Sequence, residues 1–129
     1  MSRYVWRAVA VIAILMFLGL AWTGISGGLN QLPESPALGQ KIQTVAQLAY
    51  GILSLVALAA WFWARRWSPV AFTAWEISLA MAAGLAVVVW GDETVVVGVL
   101  TGVASFAIGW GIAWLLRFSA RRAVTGNGT

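Results

Sequence analysis

Residues 61–69 of the chain read WFWARRWSP, and this stretch decides how the rest of the sequence is interpreted. Arg65 and Arg66 lie there between two long apolar segments. Tryptophans flank both arginines, as expected where amphipathic rings lie at the headgroup level of a membrane. Ser68 and Pro69 form a pair that is typical of a helix start, with a capping residue followed by proline. The stretch therefore predicts a cytoplasmic turn between two transmembrane helices.

The other basic residues repeat this arrangement along the chain. Seven of the eight flank the same ends of four apolar segments, and these are Arg3, Arg7, Arg65, Arg66, Arg117, Arg121 and Arg122. The eighth, Lys41, lies between the first and second segments, and Asp92 and Glu93 lie between the third and fourth. By the positive-inside rule, this asymmetry predicts four transmembrane helices with both termini in the cytoplasm and two loops outside.

The composition is that of a membrane protein. Of the 129 residues, 61% are hydrophobic and 9% are charged, whereas soluble domains carry about 25% charged residues. A net charge of +4 could indicate nucleic-acid binding in a soluble protein. Here the arginines lie beside membrane ends, where each basic residue gains about 1 kcal/mol from anionic lipid. We therefore expect membrane lipid as a partner and no nucleic acid.

The apolar segments predict an all-α fold, namely an integral membrane antiparallel four-helix bundle. We predict one domain over 1–120, with helices over about 8–25, 45–63, 69–90 and 94–116, an outside loop over 26–44, and a short polar tail over 121–129. Eighteen helical residues span about 27 Å, which is just enough for the hydrocarbon core. In the outside loop, Gly27, Gly28 and Pro33 are expected to break helical structure. Ser35 and Pro36 are expected to begin the second helix outside the bilayer, so that 45–63 is its membrane part.

A signal peptide is the alternative interpretation of the first segment. Arg3 and Arg7 precede an apolar run, and residues 24–26 resemble a cleavage site. We favour a retained helix because the apolar run is long for a signal peptide. Trp22 also suits an anchor at the membrane interface.

A β-hairpin is the alternative interpretation of residues 87–97, where valines lie on both sides of a short polar stretch. We favour helices because an open hairpin in lipid leaves backbone groups unsatisfied, at several kcal/mol each. In the helical interpretation, Gly91 takes a left-handed position after the third helix, and Asp92 caps the fourth.

The chain contains no cysteine and no histidine. Disulfides, thiol nucleophiles and cysteine-ligated metal clusters are therefore excluded. The commonest metal ligand and general base are missing as well. We expect no catalytic residue, no metal site and no cofactor.

Glu76 is the only ionisable residue inside a predicted span, and such residues are functional candidates by default. One hypothesis makes it a proton- or cation-exchanging carboxylate. The other makes it the structural partner of a snorkelling arginine, with Arg7, Arg66 and Arg117 as the candidates. We favour the structural interpretation, because a proton relay would need more polar partners than the sequence offers.

Two further sets of residues share a helix face. A polar stripe on the second helix comprises Gln40, Gln43, Gln47, Gly51 and Ser54, with Tyr50 beside it. A face of small residues on the fourth helix includes Gly98, Gly102, Ser105 and Gly109, which fit close helix packing. The two faces could line an outward-open cavity for a polar or lipid-like ligand. We favour a direct contact between the second and fourth helices.

These patterns predict a small multi-pass protein of a bacterial-type inner membrane that is not an enzyme. We expect a non-catalytic subunit, an assembly factor or a partner-binding protein. Its partners would be another membrane protein or further copies of the chain. The alternative is a small proton- or cation-coupled transporter or channel that uses Glu76 and the polar stripe. A lipid-modifying enzyme is a weaker hypothesis, because it would have to work without histidine or cysteine.

Overall fold

The structure is a computed structural model that describes residues 3–34 and 37–125, and all regular structure in these residues is helical. The four helices are α1 (Arg3–Gln31), α2 (Leu38–Trp63), α3 (Ser68–Val89) and α4 (Val95–Thr125). Short 3-10 turns, Leu32–Glu34 and Arg65–Trp67, follow α1 and α2. The all-α prediction is therefore confirmed. The β-hairpin interpretation is wrong, since residues 87–97 contain only the end of α3, a turn and the start of α4.

Each helix packs against its neighbours in chain order, and α4 closes the bundle against α1. Short connections place successive helices side by side and antiparallel, so α2 and α4 lie across the diagonal of the bundle. No extensive contact joins α2 to α4 in the described part of the chain. The expected contact between the second and fourth helices is therefore wrong.

All four helices are long and apolar enough to cross a membrane: Tyr4–Gln31, Leu38–Trp63, Arg65–Val89 and Val95–Ala123. The interior is built from small residues such as Ala13, Ala57 and Ala113 around the rings of Phe17, Phe72 and Trp75. Large apolar side chains, including many valines and leucines, point outward. So extensive an exposed apolar surface is foreign to soluble monomers and suits a multi-pass membrane protein.

α1 is longer than the sequence predicts, and much of the expected loop over 26–44 is helical. α1 continues through Gly27 and Gly28 to Gln31, and α2 already begins at Leu38. Pro33 lies in the 3-10 turn. Ser35 and Pro36, the expected start of α2, lie outside the described residues, and Ala37 precedes the first turn of α2. α4 extends to Thr125, so the expected polar tail is helical over 121–125, and residues 126–129 lie outside the described part.

Glycines in this bundle allow close packing where we expected them to end a helix. A Cβ atom on Gly28 would lie 2.6 Å from Leu48 Cδ2. A Cβ on Gly24 would lie 2.7 Å from Gly51 Cα, so the α1 and α2 backbones are almost in contact at this point. Small residues permit this approach between apolar helices, whose dispersion contacts strengthen as the backbones come closer.

The small face of α4 packs against α3. A Cβ on Gly84 of α3 would lie 2.8 Å from the Gly98 carbonyl oxygen and 3.4 Å from Gly102 Cα. Further along α4, a Cβ on Gly109 would lie 3.4 Å from the ring of Trp75. Ser105 is half-buried. The spacing of the small residues thus located a packing face, but the helix that it contacts is α3.

In the turn between α3 and α4, the left-handed residue lies one position later than predicted, and the residue that caps α4 lies two positions later than predicted. Asp92 is the residue with a left-handed backbone, with φ of 54°, and aspartate tolerates this conformation better than most residues. Gly91 is needed for another reason, since a Cβ there would lie 2.8 Å from the Val87 carbonyl oxygen. Thr94 caps α4, because its Oγ1 accepts a hydrogen bond from the Val97 N–H at 3.3 Å.

Replacing Gly24 with alanine should destabilise the bundle, because the new methyl group meets the α2 backbone. Overpacking of this kind costs about 1–3 kcal/mol. The matched control is Gly19→Ala on the same helix, where a Cβ meets nothing within 4 Å. Thermal unfolding in detergent, followed by circular dichroism, should show a lower midpoint for Gly24→Ala and no decrease for Gly19→Ala. Equal midpoints for Gly24→Ala and the parent chain would contradict the close approach.

Candidate functional site

The centre of the polar stripe of α2 is joined to α3 by hydrogen bonds. Gln43 is 2% exposed. Its Nε2 donates to the Ala82 carbonyl oxygen on α3 and to Gln47 Oε1, both at 3.2 Å. Its Oε1 accepts from the indole Nε1 of Trp90 at 2.9 Å. One amide thus links its own helix to both the middle and the end of α3.

Deeper in the bundle, Ser54 serves as the acceptor for a buried tryptophan. The Nε1 of Trp75 donates to Ser54 Oγ at 2.6 Å, and Ser54 Oγ donates to the Tyr50 carbonyl oxygen at 2.8 Å. Trp75 is fully buried, with its ring centre 4.5 Å from that of Phe17. Because the Ser54 hydroxyl accepts the hydrogen bond of the indole N–H, the Trp75 side chain can lie at the centre of the core.

The remaining stripe residues contact α1 or the start of α2. Gln47 Nε2 lies 3.5 Å from the Thr23 carbonyl oxygen, and the Tyr50 hydroxyl lies 3.5 Å from Thr23 Oγ1. Gln40 Oε1 accepts from the Ala37 N–H at 3.4 Å. The polar stripe therefore forms a network between helices.

Two surface grooves of the bundle do not involve the stripe. A groove of about 480 Å³ between α3 and α4 has Gly84, Gly98 and Gly102 among its lining residues. A groove of about 470 Å³ between α2 and α3 extends from Lys41 to Ser78 and Met81. The lining of both grooves is almost entirely apolar.

Glu76 lies inside the bundle and is 5% exposed. It follows Trp75 on α3 and lies about one turn after Phe72. No hydrogen bond or ion pair joins its carboxylate to another of the residues that the structure describes. Arg117 on α4 is the basic residue whose charge acts on it.

The structure separates the three arginines that were candidate partners of Glu76. Arg117 is half-buried, with its guanidinium carbon 5.0 Å from the centre of the Phe72 ring. Arg7 and Arg66 are exposed and lie over other rings, those of Tyr4 at 5.9 Å and Trp67 at 5.4 Å. Of these three arginines, Arg117 is therefore the one whose positive charge acts on Glu76.

Trp61 adds a buried donor to the same region. It is 6% exposed, and its indole N–H has no acceptor among the described residues. Its ring centre is 6.5 Å from that of Phe72, and the Arg65 guanidinium carbon lies 4.3 Å from the ring centre. The sequence predicts only that Trp61 anchors the helix at the membrane interface. The four-residue spacing between Trp61 and Arg65 is the pattern that could have predicted this contact, because it places the cation over the ring.

Trp61, Phe72, Glu76 and Arg117 together form what we call the Phe72 cluster. Among the described residues, its indole N–H has no acceptor and its carboxylate has no donor. A cluster of this kind can hold a buried charge or a proton. Among the residues that the structure describes, no group of three acidic, histidine or cysteine side chains is arranged to hold a metal ion.

Replacing Gln43 with leucine should destabilise the bundle by about 0.6–1.7 kcal/mol, the range of hydrogen bonds between membrane helices. The loss arises because the Trp90 N–H is left without its acceptor. Gln40→Leu is the control, since Gln40 bonds only to the backbone of its own helix start. Unfolding midpoints in detergent should fall for Gln43→Leu only. A drop of equal size in both variants would contradict the inferred role of the network.

Replacing Arg117 with glutamine should destabilise the bundle because Glu76 loses its cation. The cost should stay below the roughly 3–5 kcal/mol of directly paired buried ions. Adding Glu76→Gln to this variant should restore part of the stability, because the uncompensated charge is then gone. Arg66→Gln should have little effect. Unfolding midpoints of the four chains test this, and a double variant less stable than Arg117→Gln would argue against charge coupling.

Comparison of the chain with family models, curated proteins and solved structures finds no match. Its function therefore has to be inferred from its own residues.

Proposed function

We propose that the protein is a small non-catalytic protein of a bacterial-type inner membrane, acting as a subunit, an assembly factor or a partner-binding protein. The hydrogen-bonded stripe of α2 supports this most directly. Gln43, Gln47 and Ser54 already bond to other helices or to each other. A transporter must present such groups to its substrate, whereas here they hold the bundle together.

In this proposal both termini lie in the cytoplasm. The described arginines belong to the start of α1, the α2–α3 turn and the end of α4, which lie at one end of an antiparallel bundle. Trp6 and Phe118, whose ring centres are 5.2 Å apart, bring the start of α1 and the end of α4 together. Asp92 and Glu93 belong to the α3–α4 turn at the other end. This charge asymmetry supports insertion with the arginine end inside.

The partners that we propose are membrane lipid and either another membrane protein or further copies of the chain. α4 supports this proposal, because 11% of its most apolar stretch is buried within the bundle, compared with 44% for α2. A helix with so few buried residues leaves a broad side for lipid or a neighbouring helix.

A small proton- or cation-coupled transporter or channel is the second candidate, and the Phe72 cluster favours it. A carboxylate buried without a hydrogen bond is costly and is often retained for function. Against this candidate, a continuous pathway needs polar groups on both sides of the carboxylate. The nearby stripe residues are already bonded between helices.

Replacing Glu76 with glutamine tests the two candidates, because it keeps the shape of the side chain and removes its charge. We expect lower yield or altered assembly on native gels. We also expect no flux above empty liposomes for either chain, with proton and cation movement read by dyes trapped inside proteoliposomes. Glu93→Gln is the control that removes a carboxylate from a turn. Flux that the parent chain carries and Glu76→Gln loses would establish the transporter instead.

A further inference from the structure

The groove between α2 and α3 differs from the groove between α3 and α4 because a charged residue lines it. Its α2 wall includes Lys41, Val45 and Ala49, and its α3 wall is formed by Ser78 and Met81. The residues that line the α3–α4 groove are all uncharged. We call the groove between α2 and α3 the Lys41 groove.

The Lys41 groove lies at the end of the bundle opposite the arginines. Lys41 belongs to the first turn of α2, which begins at Leu38, and the other end of α2 leads to Arg65 and Arg66. From Leu38 to Ala49, the groove follows α2 for about 16 Å. Lys41 therefore lies near the outer mouth of the groove, and Ala49 lies deeper.

The positive charge at this mouth is available to a ligand. Lys41 is exposed and forms no ion pair with another side chain that the structure describes. Asp92 and Glu93 belong to the turn at the same end but do not line the groove. A lysine beside a membrane lays its apolar stem along apolar surface and places its ammonium group at the headgroup level. Charge at the mouth and apolar surface inside are complementary to an amphiphile with an anionic head.

The dimensions of the Lys41 groove suit an acyl chain better than a helix. A volume of about 470 Å³ over a length of about 16 Å corresponds to a cross-section of about 30 Å². A helix with its side chains is at least about 10 Å wide, which gives a cross-section of about 80 Å². A helix from a second copy or another protein would therefore rest on the rim, whereas a flexible acyl chain can enter.

We propose that the Lys41 groove binds an anionic phospholipid of the leaflet at this end of the bundle, which rests on the proposed membrane insertion. One acyl chain lies between α2 and α3, against Val45, Ala49 and Met81. The Lys41 ammonium group contacts the phosphate of the same molecule, since lysine binds phosphate as a compact point charge. Apolar contact along the chain and charged contact at the headgroup together select the lipid.

The test uses fluorescence quenching by lipids whose acyl chains carry bromine. The chain has no native cysteine, so a fluorophore can be attached to Ile52→Cys alone. Ile52 is exposed and lies about one turn beyond Ala49 on the same side of α2, so this label reports lipid at the inner end of the groove. The full chain is reconstituted in phosphatidylcholine with a small fraction of brominated phosphatidylglycerol or brominated phosphatidylcholine. One basic contact predicts a preference of about 5-fold for the anionic lipid.

Ala107→Cys provides the control label. Ala107 is exposed and lines neither groove. Trp75 of α3 bonds to Ser54 and lies beside Gly109. Ile52 and Ala107 each precede these residues by two positions, so the two labels lie at a similar depth. We expect the two brominated lipids to quench the control label equally.

Three further variants separate charge from shape at the Ile52→Cys label. Lys41→Gln should abolish the preference and Lys41→Arg should retain it, and neither change should disturb the fold because Lys41 is exposed. Ala49→Phe should lower the preference while Lys41 stays in place, because the new ring fills the inner part of the groove. Arg66→Gln, which removes a cation from the opposite end, should leave the preference unchanged.

Equal quenching of the Ile52→Cys label by both lipids would overturn the site, and so would an equally large preference at Ala107→Cys. A preference that survives Lys41→Gln would refute the headgroup contact, and one that survives Ala49→Phe would refute binding in the groove. Weak quenching at Ile52→Cys by both lipids, with strong quenching at Ala107→Cys, would show that a second copy covers the groove instead. Absence of quenching at both labels would refute insertion itself, whereas quenching without preference would refute the lipid site alone.

Discussion

Hydrogen bonding between helices is the constraint on which the rest of this bundle depends. Because the outer surface of the bundle is apolar, a polar side chain gains most by turning inward and forming a hydrogen bond to another helix. Gln43 does this with Ala82 of α3 and with Trp90, the residue that follows α3. Hydroxyls that point elsewhere return to their own helix, as Thr101 does to the Val97 carbonyl oxygen at 2.8 Å. Glu76 departs from this pattern, since it is buried and no hydrogen bond joins its carboxylate to another of the described residues.

Close backbone approach complements the hydrogen bonds and occurs in the α1–α2 and α3–α4 pairs. α1 and α2 meet at Gly24 and Gly51, and α3 and α4 meet at Gly84 and Gly98. The α2–α3 pair relies on Gln43 and on the Trp75 bond to Ser54. Each of these pairs is thus joined by close backbone packing, by hydrogen bonds or by both, which is consistent with a bundle held by packing rather than by the hydrophobic effect.

The all-helical fold and the four apolar helices could be predicted from the sequence, because length and hydropathy are properties of each segment alone. The neighbours of each helix could not be predicted. The spacing of Gly98 and Gly102 identifies a face, but only the three-dimensional arrangement shows that α3 covers it. Gly27 and Gly28 were assigned to a loop because glycine ends helices in water, whereas here it allows close packing. The choice of Arg117 among three arginines likewise depended on the position of Phe72.

The most direct test of the account is the sidedness of the chain in intact cells. The sequence has no cysteine, so single substitutions can be labelled with a membrane-impermeant maleimide. The account predicts that Asp92→Cys reacts from outside, while Tyr4→Cys and Arg122→Cys react only after the membrane is permeabilised. Labelling of Tyr4→Cys and Arg122→Cys from opposite sides would contradict four crossings with the arginine end in the cytoplasm.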